Sequence, residues 1–477
     1  MNLVLLALAL FGCSGDEAPP PPNQTLPTDS ASTRLDTAEE TGVPDSGTRP
    51  TDSDPTDSDP ITPSDLIAVV GLPSEEVWFL VPETGEVVAQ QRIRDWLPDK
   101  CAKGDCRLAG FQHEVIADED VMTFAYSIPE GTDGARLGGI VSTRLGSPGS
   151  VLWELMELDF DTWLSGIYDG RCAEGNPDSR CRMANPHTVV RMPDRRWLIA
   201  DTAQDRLLIL EPEPEELSEN PSTSDTQERL TGEVRQVMDE TTQTRGDWQE
   251  CEGPNNAEIW VEDDVTYALM TCRGSTTEDG GRTRQGSISL WDLRDLDRPT
   301  RIWRYPERGF LKAVHHGRVI DGPDSPWLVY GHSMGNSTLA NEELGTVGIA
   351  RFSLTEVPEY LGDGQLPEEV GELGFVRSVG PLPDGQGMLV ADSGCEVIAQ
   401  DCQETGRLIQ VRFPDRVASG RTGSWSDDHG QQDFFALDIL GLLEGSAVGG
   451  LPYEAEYLPA EALGVSLRTP GAVTPAD

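Results

Sequence analysis

Short apolar runs separated by turns make up the chain from residue 66 onward. The turns are rich in Gly, Pro and Asp, and many of the runs alternate apolar with polar residues. Runs of this kind, bounded by turn-forming residues, are typical of β-strands. One stretch, residues 433–443, spaces its apolar residues in a way that also suits a helix. The pattern therefore predicts an all-β protein.

A strand–turn–strand unit recurs along this part of the chain. Its clearest copies cover residues 187–201 and 377–392. Each has a Pro-Asp turn between two strands, and the second strand ends in Ala-Asp. Looser copies begin near four further residues, Ile67, His113, Ala257 and His316. Units of three or four strands at intervals of 46 to 74 residues are typical of propeller blades.

We therefore predict a six-bladed β-propeller over residues 66–477. A seven-bladed propeller is the alternative, because residues 414–477 are long enough to contain a degenerate blade. A late strand from this region is expected to pair with the first blade and close the ring, since closure removes exposed strand edges. Five tryptophans are expected to pack between blades, namely Trp78, Trp197, Trp260, Trp291 and Trp327.

The amino terminus has the pattern of an export signal. Residues 3–11 are consecutively apolar, a run too short for a membrane-spanning helix. The run ends in Leu10-Phe11-Gly12-Cys13, which resembles the lipobox of bacterial lipoproteins. That resemblance implies a signal peptide over residues 1–12, acyl chains on Cys13 and, with Ser14 next, an anchor in the outer membrane. No Lys or Arg precedes the run, which departs from the usual pattern of a signal peptide. An ordinary secretory peptide with an incidental cysteine is the alternative.

Residues 13–65 are an acidic, low-complexity segment rich in Pro, Thr, Ser and Asp. A segment with so few apolar side chains cannot offset the entropy that it would lose on folding. We therefore predict a disordered, extended linker between the anchor and the propeller. The Asp-Ser-Asp repeats at 52–54 and 57–59 could hold calcium weakly, but a plain spacer is favoured. No cofactor and no metal site are predicted.

The formal net charge of −47 excludes nucleic acid as a partner, because binding it requires a basic face. The same charge repels anionic lipid headgroups, so the predicted contact with the membrane is through the acyl anchor alone. We expect a monomer on the outer membrane, facing the periplasm or the cell surface. Its ligand or partner is not specified by composition.

Apart from Cys13, the chain has eight cysteines arranged as close pairs. No Cys-x-x-Cys spacing occurs, and the histidines do not cluster near the cysteines, so a zinc site is disfavoured. An even number of cysteines in an exported chain favours disulfides. We predict four local bridges, Cys101–Cys106, Cys172–Cys181, Cys251–Cys272 and Cys395–Cys402.

Basic residues recur near the starts of the repeated units. Counting back from each turn gives equivalent positions at Ile67, His113, His187, Ala257, Gly317 and Arg377. Glu258 lies beside Ala257, and His315 and His316 lie beside Gly317, with His316 one residue out of register. Side chains at such positions are expected to meet in the channel of a propeller, where imidazoles and a guanidinium suit an oxyanion or acid–base chemistry. Alternatively, the histidines hydrogen-bond neighbouring blades, and Arg377 pairs with a carboxylate such as Glu258. Asp201 and Asp392 are expected to fix turns by accepting bonds from backbone amides.

The segments 185–211 and 375–413 resemble the repeat of bacterial arylsulfotransferase-type propellers and also the NHL-type blade. The first resemblance implies an exported six-bladed propeller in which a channel histidine takes a sulfuryl group from a phenolic sulfate and passes it to a phenol. By position, His113, His187, His316 and Arg377 are the residues that could match this set. We therefore predict ligand or partner binding at the channel mouth, with sulfuryl transfer by a His/Arg ring as the alternative.

Overall fold

The structure is a computed structural model of the full chain. It describes residues 65–72, 75–102, 106–116, 119–130, 135–145, 151–160, 182–211, 228–239, 251, 253–273, 286–307, 311–322, 325–334, 344–367, 370–371, 373–394, 406–413, 434–444 and 451–459. Within these ranges the chain is almost entirely β-structure. The predicted signal peptide, Cys13 and all of the predicted linker except Asp65 lie outside the described residues.

The strands in chain order are β1 (Asp65–Leu72), β2 (Glu76–Leu80), β3 (Val87–Arg92), β4 (Arg107–Ile116), β5 (Glu119–Glu130), β6 (Ala135–Arg144), β7 (Val151–Phe160), β8 (Pro186–Arg191), β9 (Trp197–Asp201), β10 (Arg206–Leu210), β11 (Glu228–Met238), β12 (Pro254–Glu262), β13 (Val265–Cys272), β14 (Ser287–Asp292), β15 (Thr300–Tyr305), β16 (Lys312–Asp321), β17 (Pro326–Met334), β18 (Leu344–Arg351), β19 (Glu359–Gln365), β20 (Val376–Pro381), β21 (Gly387–Asp392), β22 (Arg407–Arg412), β23 (Phe434–Ala436), β24 (Asp438–Glu444) and β25 (Leu451–Pro459). Two one-turn helices follow β3, namely α1 (Ile93–Trp96) and α2 (Pro98–Cys101).

The described strands form five sheets with a propeller-like arrangement. Four of the sheets have the strand orders β25-β1-β2-β3, β12-β13-β14-β15, β16-β17-β18-β19-β23 and β20-β21-β22-β24. The fifth has eight strands in the order β4-β5-β6-β7-β11-β10-β9-β8. It consists of two antiparallel four-stranded meanders joined edge to edge by the parallel pairing of β7 with β11. The structure therefore has four separate sheets and one double sheet, whereas six separate blades were predicted.

Six strands line the centre of the molecule and contact one another in a cycle. The contacts run from β4 to β8, β12, β16, β20, β25 and back to β4. We call these six the inner strands. β25 pairs antiparallel with β1, with Tyr457 opposite Ile67, so the predicted closure by a late strand is confirmed. The prediction that placed Ile67 at the inner position is wrong, because β25 lies inside β1 and supplies that position.

The core is made where neighbouring sheets face each other. One cluster joins Ile67 and Leu80 of the first sheet to Leu389 and Leu408 of the β20–β24 sheet. Four of the five predicted tryptophans are buried, namely Trp78, Trp197, Trp291 and Trp327. Trp260 is half-buried, and its indole N–H donates to Glu262 at 3.2 Å. Such side-by-side packing lets a chain of low apolar content bury both faces of each sheet.

Asp201 and Asp392 hold the turns before two of the inner strands. Oδ1 of Asp201 accepts bonds from the backbone N–H groups of Ala184 at 3.0 Å and Asn185 at 3.3 Å. Oδ1 of Asp392 accepts from the N–H groups of Phe375 at 2.8 Å and Gly394 at 3.0 Å. The prediction that these aspartates fix turns is therefore confirmed.

Two of the four predicted disulfides lie within the described residues and both are formed. Cys101–Cys106 links α2 to the start of β4, and Cys251–Cys272 links the segment before β12 to the end of β13. The pairs Cys172/Cys181 and Cys395/Cys402 lie outside the described residues.

Of the stretch 433–443, the structure describes residues 434–443, and these are extended and not helical. The stretch contains β23 and most of β24, and β24 pairs antiparallel with β22. Its apolar residues suit both a helical and a strand period, so pairing with an existing strand edge decides between them. The pairing leaves the side chains of Leu440 and Leu442 exposed at 44% and 36%.

Candidate functional site in the central channel

A β-bulge recurs near the start of every inner strand. In each case the pairing with the adjacent strand shifts register, and one to three residues have no partner across the ladder. A bulge re-aims side chains that would otherwise follow the regular alternation. The residues at the bulges are Ala109 and Gly110 in β4, His187 in β8, Asn255 in β12, residues 313–315 in β16, Arg377 in β20 and Tyr453 in β25.

Five of these bulged side chains meet in a hydrogen-bonded cluster that we call the hub: His187, Asn255, His315, Arg377 and Tyr453. Nδ1 of His187 lies 2.6 Å from Oδ1 of Asn255 and 2.6 Å from the hydroxyl of Tyr453. Nδ2 of Asn255 donates to the carbonyl oxygen of His315 at 2.9 Å. Arg377 continues the chain of contacts, because its Nη1 donates to Nε2 of His315 at 2.9 Å.

Aromatic contacts pack the same five residues. The rings of His187 and His315 are stacked with centroids 6.4 Å apart, and Tyr453 meets both edge to face. The Arg377 guanidinium lies 5.6 Å from the centre of the Tyr453 ring. All but His187 are buried, and His187 is half-buried. The hub is thus a fully packed polar layer across the channel.

The hub imidazoles are held neutral. Burial, followed by the charges of Arg273 and Arg377, lowers the pKa of His187 to about 4, although its bond to Asn255 acts in the opposite direction. Burial and the Arg377 charge also lower the pKa of His315 well below its ordinary value. Burial raises the pKa of the Tyr453 hydroxyl. The guanidinium of Arg377 is therefore the charged member of this layer at neutral pH.

Next to the hub, the channel widens into a cavity of about 510 Å³. Five of the six inner strands supply its walls, and on four of them the lining begins at the residue after the hub residue. The polar lining consists of Gln112, Glu114, Thr188, Arg191, Arg195, Asn256, Glu258, His316, Arg318, Glu454 and Glu456. Apolar residues between them include Val190 and Ile259, which are half-buried, and Phe111, Val189 and Met192, which are buried. We call this cavity the channel pocket.

Two sets of ion pairs lie in the walls of the channel pocket. Arg318 lies between two carboxylates, with Nε 3.0 Å from Glu258 and Nη1 2.5 Å from Glu456. Arg191 lies 3.1 Å from the carboxylate of Glu114. These pairs span different inner strands: Arg318 joins β16 to β12 and β25, and Arg191 joins β8 to β4.

Three further side chains face the pocket with hydrogen-bonding capacity to spare among the described residues. Glu454 is 7% exposed, and one of its oxygens accepts the N–H of Phe111 at 3.0 Å. His316 is 8% exposed, and its Nδ1 accepts the N–H of Val379 at 3.4 Å, which leaves Nε2 to carry the proton. Nη2 of Arg195 is buried without a partner in the described structure.

The protonation of these groups follows from burial. Burial, with the nearby charge of Glu456, raises the pKa of Glu454 well above its ordinary value, so its carboxyl holds a proton at higher pH than usual. Burial and the Arg318 charge lower the pKa of His316 to about 3. Burial also raises the pKa of Glu258, against the opposing effect of Arg318. Burial thus favours the neutral forms of both groups: the protonated carboxyl of Glu454 can donate and accept, and Nε2 of His316 can donate.

The structure separates the four residues that the sequence analysis brought together. His187 and Arg377 belong to the hub, where His315 lies between them. His316 faces the channel pocket. His113 is in neither place: its Nε2 lies 2.8 Å from Asp120 across the β4–β5 hairpin, and Gly110 takes the bulged position of β4 instead. Glu258, proposed as a partner for Arg377, pairs with Arg318.

Sequence reasoning missed Asn255, Tyr453 and Glu454, and it noted His315 beside Gly317 without placing it in the predicted site. Counting back from a turn assumes inner strands of equal length, whereas β8 has six residues and β4 has ten. The Asn255–Asn256 and His315–His316 pairs were visible as adjacent polar residues at the start of a strand, and they mark two of the bulges. Tyr453 and Glu454 had no such signal, because their strand lies at the far end of the chain from its blade.

Among the described residues, no cluster of three or more His, Cys, Asp or Glu side chains is arranged to hold a metal ion. The described helices are too short and insufficiently apolar to cross a membrane.

No family model matches the chain, and no curated protein matches it. Solved structures do match. The periplasmic gluconolactonase PpgL of Pseudomonas aeruginosa is 11% identical, with 83% of this chain and 99% of that chain covered and a TM-score of 0.40. The Dos1 propeller is 8% identical, with 73% and 69% covered and a TM-score of 0.35. The dihydro-heme d1 dehydrogenase NirN is 14% identical, with 83% and 78% covered and a TM-score of 0.33. These are likenesses of strand arrangement.

Proposed function

We propose that this protein is an exported lipoprotein whose six-bladed propeller binds a small molecule in the channel pocket. The observation that carries the proposal is the pocket itself. Five inner strands contribute to its wall, its volume of about 510 Å³ is within the range of small-molecule sites, and three buried or half-buried polar groups face it with spare hydrogen-bonding capacity.

The count of six blades is supported by the bulges and by the cycle of contacts. Six inner strands carry the same bulge, and each contacts the next around the centre. On this interpretation the eight-stranded sheet is two blades whose outer strands, β7 and β11, are in contact. β23 then extends the blade of β16–β19, since it pairs parallel with β19.

Sulfuryl transfer is not favoured by the described site. An aryl sulfate is an anion, and its transfer requires cations that converge on its oxygens. His187 and His316 are neutral groups in different layers, and His113 lies outside both. The channel pocket also exposes an anion to Glu258 and Glu456. A binding role fits this lining better than that reaction.

The binding proposal can be tested by filling the pocket. Val190 lines it and is half-buried, so Val190→Trp should occupy the space with a large side chain. Val115 is 63% exposed on β4 and does not line the pocket, which makes Val115→Trp a matched control. A mixture of neutral, anionic and cationic small molecules is added to each protein, and saturation-transfer NMR detects those that bind.

We expect at least one compound to bind the wild type and Val115→Trp, and to lose binding to Val190→Trp. A ligand at a hundredfold excess over its Kd should also raise the free energy of unfolding by about 2.7 kcal/mol. If no compound binds the wild type, or if Val190→Trp binds as well as the control while remaining folded by circular dichroism, the channel pocket is not a binding site.

We also propose that Cys13 anchors the protein to the outer membrane, with residues 14–65 as a spacer. The support is the lipobox-like sequence before Cys13 and the acidic low-complexity segment after it. Intact-mass spectrometry of the membrane fraction should find acyl chains on the wild type. The Cys13→Ser variant should be found unacylated and not retained with the membranes. An unmodified wild-type Cys13 would contradict the anchor.

A further inference from the structure

We propose that the ligand of the channel pocket is an uncharged carbohydrate of one or two sugar rings. This inference rests on the proposed binding function and names the chemical class that the lining favours. Three properties of the walls favour this class: their balance of charge, their mixture of spare hydrogen-bond donors and acceptors, and the apolar side chains between the polar ones.

The charges of the lining nearly balance. Three guanidiniums face the pocket, those of Arg191, Arg195 and Arg318, and the carboxylates of Glu114, Glu258 and Glu456 oppose them. The fourth carboxyl group, that of Glu454, is favoured in its protonated form by burial. Arg318 is shared between Glu258 and Glu456, so its charge is already neutralised within the wall. Arg195 has no ion pair among the described residues, and its charge is offset by the second carboxylate beside Arg318, so a charged ligand would leave the lining with an uncompensated charge, which is unfavourable.

The spare groups both donate and accept. The protonated carboxyl of Glu454 has one oxygen bonded to the N–H of Phe111 and its hydroxyl free to donate. Nε2 of His316 is a donor, and Nη2 of Arg195 is a buried donor. The ion-paired carboxylates of Glu258 and Glu456 keep lone pairs that can accept further bonds. A hydroxyl group is the ligand group that can satisfy donors and acceptors at once.

Apolar side chains separate these polar groups around the cavity. Val190 and Ile259, both half-buried, lie next to Arg191 and Glu258 along β8 and β12. A sugar ring presents C–H groups on its faces and hydroxyls around its edge, so it matches a wall in which apolar and polar patches alternate. A purely apolar ligand would leave the spare polar groups unpaired, and burying them unpaired is unfavourable.

The test uses uncharged sugars and charged analogues of the same ring. Glucose, galactose, mannose, maltose and cellobiose are compared with glucuronate, glucose 6-phosphate and glucosamine by saturation-transfer NMR and isothermal titration calorimetry on the full mature chain. We expect at least one uncharged sugar to bind, and its charged analogues to bind at least about tenfold more weakly.

Variants of the spare groups locate the bound sugar. Glu454→Gln keeps a neutral group that donates and accepts, so binding should stay within about threefold of the wild type. Glu454→Leu removes these bonds and should weaken binding by about tenfold or more. Arg195→Met should weaken binding, whereas Arg196→Met should not, because Arg196 pairs with Asp194 and Glu211 and does not line the pocket.

Failure of this inference is distinct from failure of the binding proposal. If the small-molecule mixture yields a ligand that Val190→Trp abolishes but no uncharged sugar binds, the pocket is a site and the carbohydrate class is wrong. The class is also wrong if a charged analogue binds more tightly than its uncharged parent. If a sugar binds and Glu454→Leu and Arg195→Met leave its Kd unchanged, the sugar does not occupy this pocket.

Discussion

Two buried aspartates each hold a turn of one blade in place through hydrogen bonds. The side chain of Asp201 is fully buried, and besides two backbone amides it binds Nε of Arg206 at 2.9 Å. Asp392 has the corresponding partner in Arg407. A buried charge of this kind is stable because every lone pair has a partner, and removal of one member leaves the other uncompensated.

Asp201→Ala should therefore lower the free energy of unfolding by about 3–5 kcal/mol, because it leaves the Arg206 guanidinium buried without its counter-ion. Urea denaturation measures the change. Asp194→Ala is the matched control, since the Asp194 side chain is 49% exposed where it pairs with Arg196, and its loss should cost no more than about 0.5 kcal/mol. Equal losses in the two variants would contradict a structural role for Asp201.

The neutral state of His187 predicts a dependence of stability on pH. The imidazole binds a proton below pH 6.5 in the unfolded chain but only near pH 4 in the folded protein. Stability is therefore lost as pH falls from about 6.5 to about 4, because the unfolded state takes up the proton first.

His187→Gln removes this titration, so its free energy of unfolding should fall less than that of the wild type between pH 7 and pH 4.5. Urea denaturation at both values measures the difference, and the contributions of Glu258 and Glu454 are common to the two proteins. Parallel loss of stability in both proteins, or an imidazole of His187 that titrates near 6.5 by NMR, would contradict the buried neutral histidine.

At the scale of single residues, sequence analysis could identify His187, His316 and Arg377 as channel residues in the repeated pattern. It could not separate hub from pocket, because a bulge shifts the direction of a side chain without any mark in the composition. It also placed His113 with them, although its strand extends further toward its turn and lets His113 pair with Asp120.

At the scale of elements, the bulged inner strand is the unit that builds the channel. The strand must bend where it approaches its neighbours, and in β4 the bulge is occupied by Ala109 and Gly110. A Cβ on Gly110 would lie 2.3 Å from the backbone oxygen of His187, a distance that real Cβ atoms do not adopt. The glycine therefore permits the close approach of β4 to β8.

Gly110→Ala should lower the free energy of unfolding by about 2 kcal/mol or more, because backbone must move to admit the methyl group. Gly380→Ala, on inner strand β20, is the matched control: its Cβ would have no neighbour nearer than 3.4 Å, and its effect should stay below about 1 kcal/mol. Thermal or urea denaturation compares the two. A Gly110→Ala variant as stable as Gly380→Ala would mean that β4 and β8 are further apart than described.

Most elements could be predicted from the sequence, because strands bounded by turn-forming residues have a recognisable hydrophobic period and amino-acid composition. The unit at 377–392 corresponds to β20 and β21, and the unit at 187–201 to β8 and β9. The stretch 433–443 was ambiguous because its spacing suits either period, and only its pairing with β22 makes it a strand.

At the scale of the whole molecule, the two ends of the described chain complete one sheet. β25 is the inner strand of the sheet that begins with β1, and it contributes Tyr453 to the hub and Glu454 and Glu456 to the channel pocket. Sequence analysis expected a late strand to close the ring but could not say that it would carry site residues. That follows from topology, which depends on contacts between residues almost four hundred positions apart.

Hydrogen–deuterium exchange of the β25 amides in the full-length protein tests this closure most directly. If β25 is an inner strand, peptides covering residues 453–457 should exchange as slowly as those from β8 and β20, and should open only with global unfolding. Exchange of residues 453–457 within seconds, while β8 and β20 remain protected, would contradict the closed ring and remove Glu454 and Glu456 from the wall of the pocket.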